Sequence, residues 1–177
     1  MDSKVAMDEM TEAIAHDSIA KLLSLIKAGA DLNKPLLVGT EYDLEAYDEI
    51  SPLFYAIKYH ASLEMIEMML SHGVDLCQTD PDGIGVLDMA IKFKRKDVIQ
   101  LCIDKGFDLN ATKRKSGMTP VILAACFSDT EMMQLLLDAG GDIQVADNTG
   151  MKPLDYAKKL GQKKMQAYLE AYGVASL

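Results

Sequence analysis

The stretch Ser116–Asp142, SGMTPVILAACFSDTEMMQLLLDAGGD, contains one complete structural unit. Thr119-Pro120 is predicted to start a helix, because proline is preset for the first helical turn and lacks the N–H that this turn leaves unpaired. Ser128-Asp129 is predicted to end this helix, and a second helix with an apolar stripe follows. Gly140-Gly141 is predicted to end the second helix, since glycine enters the left-handed region freely. The stretch therefore predicts two short helices joined by a turn.

The same pattern recurs along the chain at a nearly constant period. The helix-opening position is occupied in turn by Pro52, Val86, Pro120 and Pro153, with steps of 34, 34 and 33 residues. The position that closes each unit is occupied by Gly29, Gly73, Gly106, Gly140 and Gly173, with steps of 44, 33, 34 and 33 residues. This period indicates a repeat protein, and the long first step predicts an insertion between the first and second units.

The repeated units resemble those of the ankyrin-repeat family. SPLFYAI, GVLDMAI, TPVILAA and KPLDYAK are similar to the family's TPLHxAA opening, and AGADLN, HGVDLC, KGFDLN and AGGDIQ are similar to its exit. The resemblance implies an all-α ankyrin-repeat α-solenoid of about five helix–turn–helix units with β-hairpin fingers. We predict one domain over residues 1–177, with units at 8–33, 51–77, 83–110, 117–144 and 150–173 and a long inserted finger at 34–50.

The helix openings depart from the family pattern. The family's histidine is replaced by Phe54, Asp88, Ile122 and Asp155, and its threonine is kept only at Thr119. We therefore expect these helix starts to lose a side-chain hydrogen bond and to be individually less stable. Packing between neighbouring units would then supply most of the stability, as in other repeat proteins.

Charge and cysteine content argue against several classes of protein. The net charge of −9 disfavours binding to nucleic acid or to an anionic membrane and favours a basic protein partner. The three cysteines, Cys77, Cys102 and Cys126, include no close pair, which disfavours a disulfide framework. The first residues lack the apolar core of a signal peptide, and no apolar run is long enough to span a bilayer. We therefore expect a cytoplasmic monomer.

Two positions on the inner helices, the first helix of each pair, predict an apolar surface. One position is occupied by Tyr55, Met89, Leu123 and Tyr156, and the position four residues later by Tyr59, Phe93, Phe127 and Leu160. A spacing of four places both sets on one helical face. The resemblance places that face at or near a concave groove. The side chains could anchor a partner or pack between neighbouring helices, and as partner contacts we predict Tyr55, Tyr59, Met89, Phe93 and Phe127.

The inserted finger and a later basic trio are further candidate contact sites. The predicted contacts of the finger with a basic partner are Glu41, Tyr42, Asp43, Glu45, Tyr47, Asp48 and Glu49. Tyrosines would supply contact area and carboxylates would steer the encounter, although charged insertions are often simply solvated. The trio Lys113, Arg114 and Lys115 is predicted to be a solvated turn rather than a partner site.

The sequence contains no recognisable catalytic or metal site. His16, His60 and His72 are isolated, no His/Cys cluster has zinc-ligand spacing, and no phosphate-binding glycine loop is present. The resemblance implies a non-enzymatic protein-binding adaptor or inhibitor without a cofactor. The acidic charge alone favours one version of it, an immunity-type inhibitor of a basic toxin. The alternative is a haem carrier, since Tyr55, Tyr59 and His60 could ligate haem from one helix. The chain also resembles the small ankyrin proteins that accompany bacterial catalases.

Overall fold

A computed structural model describes residues 3–39 and 47–175 of the chain. These residues contain ten helices and two strands. The chain divides into two compact units, unit 1 from Met1 to Cys77 and unit 2 from Gln78 to Leu177. The fold is of the all-α ankyrin-repeat class that the sequence predicts, whereas a single domain over all 177 residues stays a prediction.

Unit 1 contains two helix pairs separated by a β-hairpin. Its elements are α1 (Ser3–Ala15), α2 (Ile19–Lys27), β1 (Leu36–Gly39), β2 (Tyr47–Ile50), α3 (Pro52–Lys58) and α4 (Leu63–Ser71). The two strands are antiparallel, with Leu36 opposite Ile50 and Gly39 opposite Tyr47. Helix α1 begins at Ser3, ahead of the predicted start of the first unit at residue 8.

Unit 2 contains three helix pairs. Its elements are α5 (Val86–Lys92), α6 (Lys96–Asp104), α7 (Pro120–Cys126), α8 (Thr130–Asp138), α9 (Pro153–Lys159) and α10 (Lys163–Ala175). The inner helices α5, α7 and α9 pack side by side in chain order. The predicted helix end at Gly173 is wrong, because α10 continues to Ala175. The preceding closing glycine, Gly140, does follow its helix and has a φ of +94°.

Each unit buries its own set of aliphatic and methionine side chains. The largest fully buried ones include Ile14, Leu22, Leu36, Leu53, Ile57, Met65 and Met69 in unit 1 and Ile91, Ile99, Ile122 and Met132 in unit 2. Burying such a side chain contributes roughly 1.5–3 kcal/mol. Helices as short as these are marginal in isolation, so packing between helix pairs is what keeps them folded.

Helices α3, α5, α7 and α9 each keep a side-chain hydrogen bond at their start, so the expected loss of such a bond is wrong. The Gly85 N–H donates to Asp88 Oδ2 at 2.8 Å, and the Lys152 N–H donates to Asp155 Oδ2 at 2.9 Å. Helices α3 and α7 are capped by the hydroxyl groups of Ser51 and Thr119. The aspartates that replace the family's histidine thus satisfy backbone donors that the helix itself leaves unpaired.

Backbone hydrogen bonds join the short fingers of unit 2 to one another. The Lys115 N–H donates to the Asp82 carbonyl at 3.1 Å, and the Asn148 N–H donates to the Ser116 carbonyl at 3.1 Å. Gly83, with a φ of +78°, lies so close to the next finger that an added Cβ would be 1.9 Å from a backbone oxygen. These fingers therefore stack tightly and serve the fold.

The turn between the two helices of each pair contains one residue in the left-handed region. Its φ lies between 52° and 57° at Asp17, His60, Lys94 and Ser128, and is 67° at Gly161. A residue with a Cβ is less favourable here than glycine by about 1–2 kcal/mol. Four of the five pairs therefore have a strained turn at the end of their first helix.

Candidate partner-binding surface

The residue that follows each of α3, α5, α7 and α9 is aromatic or leucine. Tyr59 is 42% exposed, Phe127 43% and Leu160 52%, and Phe93 is half-buried. Phe93, Phe127 and Leu160 follow three adjacent inner helices of unit 2, and we name them the apolar row. Large apolar side chains that stay exposed at one repeated position are candidates for contact with a partner.

Exposed lysines accompany the first member of the apolar row. Lys92 and Lys94 lie on either side of Phe93 in the chain, and both are exposed. The Lys92 Nζ is 5.5 Å from the centroid of the Phe93 ring. The positive charge therefore sits directly beside the aromatic surface.

The last member of the row also follows lysines, whereas the middle member does not. Lys158 and Lys159 precede Leu160, and both are exposed. The Lys158 Nζ is 3.7 Å from Glu170 Oε1, so its charge is partly balanced by an exposed carboxylate. The residues next to Phe127 are Cys126 and Ser128, which carry no charge. The row thus has basic ends and a neutral centre.

The position one helical turn earlier is mostly packed. Tyr55 and Leu123 are buried, at 7% and 8% exposure, whereas Met89 and Tyr156 are half-buried. The buried ring of Tyr55 therefore offers little surface to a partner. Partner contact by Met89 stays a prediction.

Tyr156 belongs to a buried hydrogen-bond network. Its hydroxyl donates to Asp147 Oδ2 at 2.6 Å, while Asp147 Oδ1 accepts from Thr149 and from the Met151 N–H. Burial alone would raise the pKa of Asp147, but these hydrogen bonds outweigh it and lower the pKa to about 2. The hydrogen bond to Asp147, aided by burial, raises the pKa of Tyr156 to about 12. The network fixes a finger to α9 and is structural.

Tyr55, on α3, and Tyr59, the residue that follows α3, form an aromatic pair. Their ring centroids are 4.2 Å apart with the planes tilted by 32°, and the Lys58 Nζ is 5.4 Å from the Tyr59 ring centroid. Burial, with the neighbouring Tyr59 second, raises the pKa of Tyr55. Tyr59 therefore presents an exposed ring that rests on a buried one.

The inserted finger is described in part. The predicted contacts Glu41, Tyr42, Asp43 and Glu45 lie outside the described residues. Tyr47, Asp48 and Glu49 lie on β2, where the last two are exposed. On the facing strand, Leu36 is buried and Leu37 is 43% exposed. The base of the hairpin thus combines one exposed apolar side chain with exposed carboxylates.

Two members of the basic trio are paired within unit 2. Arg114 Nη1 lies 3.1 Å from Asp88 Oδ1, and both side chains are largely buried. Lys115 Nζ lies 3.1 Å from Asp82 Oδ1 on the neighbouring finger. Arg114 takes the position that aspartate holds in the other fingers, and this exchange is the sequence signal that could have predicted its internal partner.

The described part of the chain offers little reactive chemistry. No three of its His, Cys, Asp and Glu side chains converge as ligands for a metal ion. Cys77 is exposed and Cys102 is buried. Burial raises the pKa of Cys126. None of the helices in residues 3–39 and 47–175 is both long and apolar enough to cross a bilayer.

Comparison with known proteins decides the family. A family model described as ankyrin repeats (3 copies) matches residues 10–113 and 87–174. The chain belongs to the ankyrin-repeat family. Ankyrin repeats are protein-binding modules, and this function class holds for the present chain.

Relatives in other proteins match this chain over small parts of their own lengths. Human diacylglycerol kinase iota is 30% identical over 62% of this chain and 10% of its own length. Mouse Rabankyrin-5 is 27% identical over 86% of this chain and 13% of its own length. The chicken nuclear factor NF-kappa-B p105 subunit is 29% identical over 84% of this chain and 14% of its own length. The chain therefore spans between a tenth and a seventh of these relatives.

Proposed function

We propose that this chain binds a protein partner through side chains exposed at the ends of its inner helices. The observation that carries the proposal is the repetition of Tyr59, Phe93, Phe127 and Leu160 at one position in successive repeats. Three of the four, Tyr59, Phe127 and Leu160, remain 42% to 52% exposed. Exposed aromatic side chains are favoured anchors in protein interfaces.

The acidic hairpin is the second part of the proposal. Asp48 and Glu49 are exposed beside Leu37 on the opposite strand, and the adjoining segment 41–45 adds further acidic and aromatic residues. This composition suits a basic partner surface, which carboxylates would attract over a range set by salt. An adaptor and an inhibitor would both use these contacts. Inhibition requires in addition that the partner be an enzyme whose activity falls on binding.

Affinity capture from the source organism's lysate tests the proposal. The double variant Phe127→Ser, Leu160→Ser should capture at least about tenfold less partner protein, since each anchor contributes on the order of 1–2 kcal/mol to binding. Its thermal melt should match that of the parent chain, because both side chains are exposed. Gln100→Ser, on the exposed face of α6, is the matched control and should capture as the parent does. Equal capture by all three chains would contradict the proposal.

We propose haem delivery as a second candidate because of the Tyr55–Tyr59 pair. A tyrosine phenolate is an established axial ligand of haem iron. Tyr59 offers an exposed ring, and Tyr55 lies against it with a centroid distance of 4.2 Å. The raised pKa of Tyr55 opposes its ionisation, so Tyr59 is the more accessible ligand.

Absorbance titration with haemin separates this candidate from protein binding alone. The carrier predicts a Soret band that Tyr59→Phe removes and Phe127→Ser leaves intact. A spectrum unchanged by the protein, or one unchanged by Tyr59→Phe and Tyr55→Phe, would eliminate haem binding at this pair.

A further inference from the structure

We infer that the apolar row of unit 2 binds an acidic segment of a partner protein, with an apolar side chain of that segment seated at Phe127. The inference deepens the proposed function, on which it rests, by assigning the partner's chemistry at this surface. It differs from the hairpin of unit 1, whose carboxylates suit a basic partner.

The exposed lysines beside the apolar row favour an acidic partner. Lys92 and Lys94 at the end of α5, and Lys159 at the end of α9, are exposed. Among the described side chains, none of the three has a carboxylate within ion-pair distance. Their charge is therefore available to a ligand, and it is opposite in sign to the net charge of −9. Complementary charge is what selects a partner at such a surface.

The arrangement of charged and neutral helix ends indicates the length and the residue pattern of the bound segment. Helix α7 lies between α5 and α9 and ends at the uncharged Phe127. Packed helices are about 8–10 Å apart, so the two lysine-bearing ends are separated by roughly 16–20 Å. An extended segment covers this span with about five or six residues at roughly 3.3 Å each. A segment with carboxylates at both ends and an apolar residue between them fits this pattern.

Nucleic acid is a less suitable occupant of the same surface. Lysines beside aromatic rings also suit single-stranded nucleic acid. However, a strand that follows the row would place its central phosphates at a neutral centre formed by Cys126, Phe127 and Ser128. A short acidic peptide needs favourable charge only at the row's two ends, so the peptide is favoured.

Selection from a phage-displayed library of random twelve-residue peptides, with the full chain as bait, tests the inference. Enriched peptides should carry Asp or Glu on both sides of an aromatic or aliphatic residue. Synthetic copies should bind the triple variant Lys92→Glu, Lys94→Glu, Lys159→Glu at least about tenfold more weakly, and should bind Phe127→Ser about tenfold more weakly. Binding to Lys27→Glu, at the exposed C-terminal end of α2 in unit 1, should be nearly unchanged.

Several results would overturn the inference. Enrichment of Lys- or Arg-rich peptides, acidic peptides that bind the triple variant as tightly as the parent, or no enrichment at all would each do so. Binding of a twelve-residue oligothymidine that Phe127→Ser abolishes would assign the row to nucleic acid instead. The proposed function would survive these failures if lysate capture were still lost in the Phe127→Ser, Leu160→Ser variant, so the two can fail separately.

Discussion

The hairpin of unit 1 and the apolar row of unit 2 both expose apolar side chains, but beside charges of opposite sign. Leu37 on β1 faces a strand that carries Asp48 and Glu49. Phe93 and Leu160, at the ends of the row, stand beside lysines. The net charge of −9 describes only the first of these surfaces. Partner chemistry in a repeat protein is therefore better inferred from each surface than from the sum over the chain.

The two surfaces also arise in different ways. The hairpin comes from an insertion, visible as the step of 44 residues between Gly29 and Gly73. The apolar row comes from substitutions at one position of units that keep the ordinary length. An insertion changes one place, whereas a repeated substitution builds a continuous surface because the inner helices of unit 2 lie side by side.

Reversing the charges of each surface should have the largest effect on binding and tests whether the two surfaces differ. Lys92→Glu with Lys94→Glu should weaken binding of acidic peptides by between ten- and a hundredfold, since attraction becomes repulsion. Asp48→Lys with Glu49→Lys should leave the same binding within about twofold if the two surfaces act separately. Fluorescence anisotropy with a labelled peptide measures both. A similar loss in both variants would mean that the surfaces are not distinct.

The buried network of unit 2 gives the next largest effect. Tyr156→Phe removes a donor to a buried carboxylate and should lower the free energy of unfolding by about 2 kcal/mol. Urea titration at pH 7 measures the loss. The matched control Tyr168→Phe, on α10, removes a more exposed hydroxyl and should cost less than about 1 kcal/mol. Equal losses of unfolding free energy in the two variants would show that the hydrogen bond from Tyr156 to Asp147 adds no stability.

Because of the same carboxylate, we expect acid to lower the stability of unit 2 more than that of unit 1. The pKa of Asp147 is lowered from 3.8 to about 2, so its contribution to stability is complete above about pH 5 and is lost as pH falls through 3.8 toward 2. The protection of backbone amides from hydrogen exchange, corrected for the intrinsic rate at each pH, should then fall more around α9 than around α2 of unit 1 over this range. Tyr156→Phe should reduce this dependence, and a loss of protection that is uniform over both units would argue against it.

The turn residues provide a smaller effect that separates stability from binding. Ser128→Gly relieves a left-handed residue with a φ of 55° and should raise the free energy of unfolding by up to about 1 kcal/mol. Lys94→Gly should stabilise the fold similarly but should also weaken the binding of acidic peptides, because it removes a positive charge from the surface. Thermal melts and anisotropy on the same samples distinguish the effects. Stabilisation without any change of affinity in Lys94→Gly would remove this lysine from the binding surface.

The smallest expected effect concerns the hairpin. Asp48→Asn with Glu49→Gln should slow association with a basic partner protein a few-fold at low salt, with no effect on stability, since both side chains are exposed. Stopped-flow association rates at two salt concentrations measure this. Rates that are unchanged at low salt would show that these carboxylates do not steer the encounter.

The sequence allowed most of the repeat architecture to be predicted, because the constraint at each glycine or proline is local. Gly140 follows its helix with a positive φ, as predicted, whereas Gly173 lies within α10. The aspartates at helix starts were harder to interpret, since only the structure reveals that Asp88 accepts from a backbone N–H and also pairs with Arg114.

The candidate site was predictable in position but not in exposure. A spacing of four placed Tyr55 and Tyr59 on one face, and that is correct, yet one is buried and the other is 42% exposed. The first lies within the helix and the second follows its end, and periodicity alone does not distinguish their exposure. The ion pairs Lys115–Asp82 and Arg114–Asp88 join residues of different repeats. Only Arg114, which replaces the aspartate of the neighbouring fingers, gives a sequence signal of such an internal partner.

Photo-crosslinking from position 127 would capture whatever contacts the centre of the apolar row. Benzoylphenylalanine replaces Phe127 in one chain and Gln100, on α6, in another, and both are irradiated in native lysate. We predict a crosslinked partner from position 127 that an excess of the selected acidic peptide displaces, and none from position 100. Crosslinking from position 100 alone, or crosslinking at position 127 that the peptide does not reduce, would contradict it.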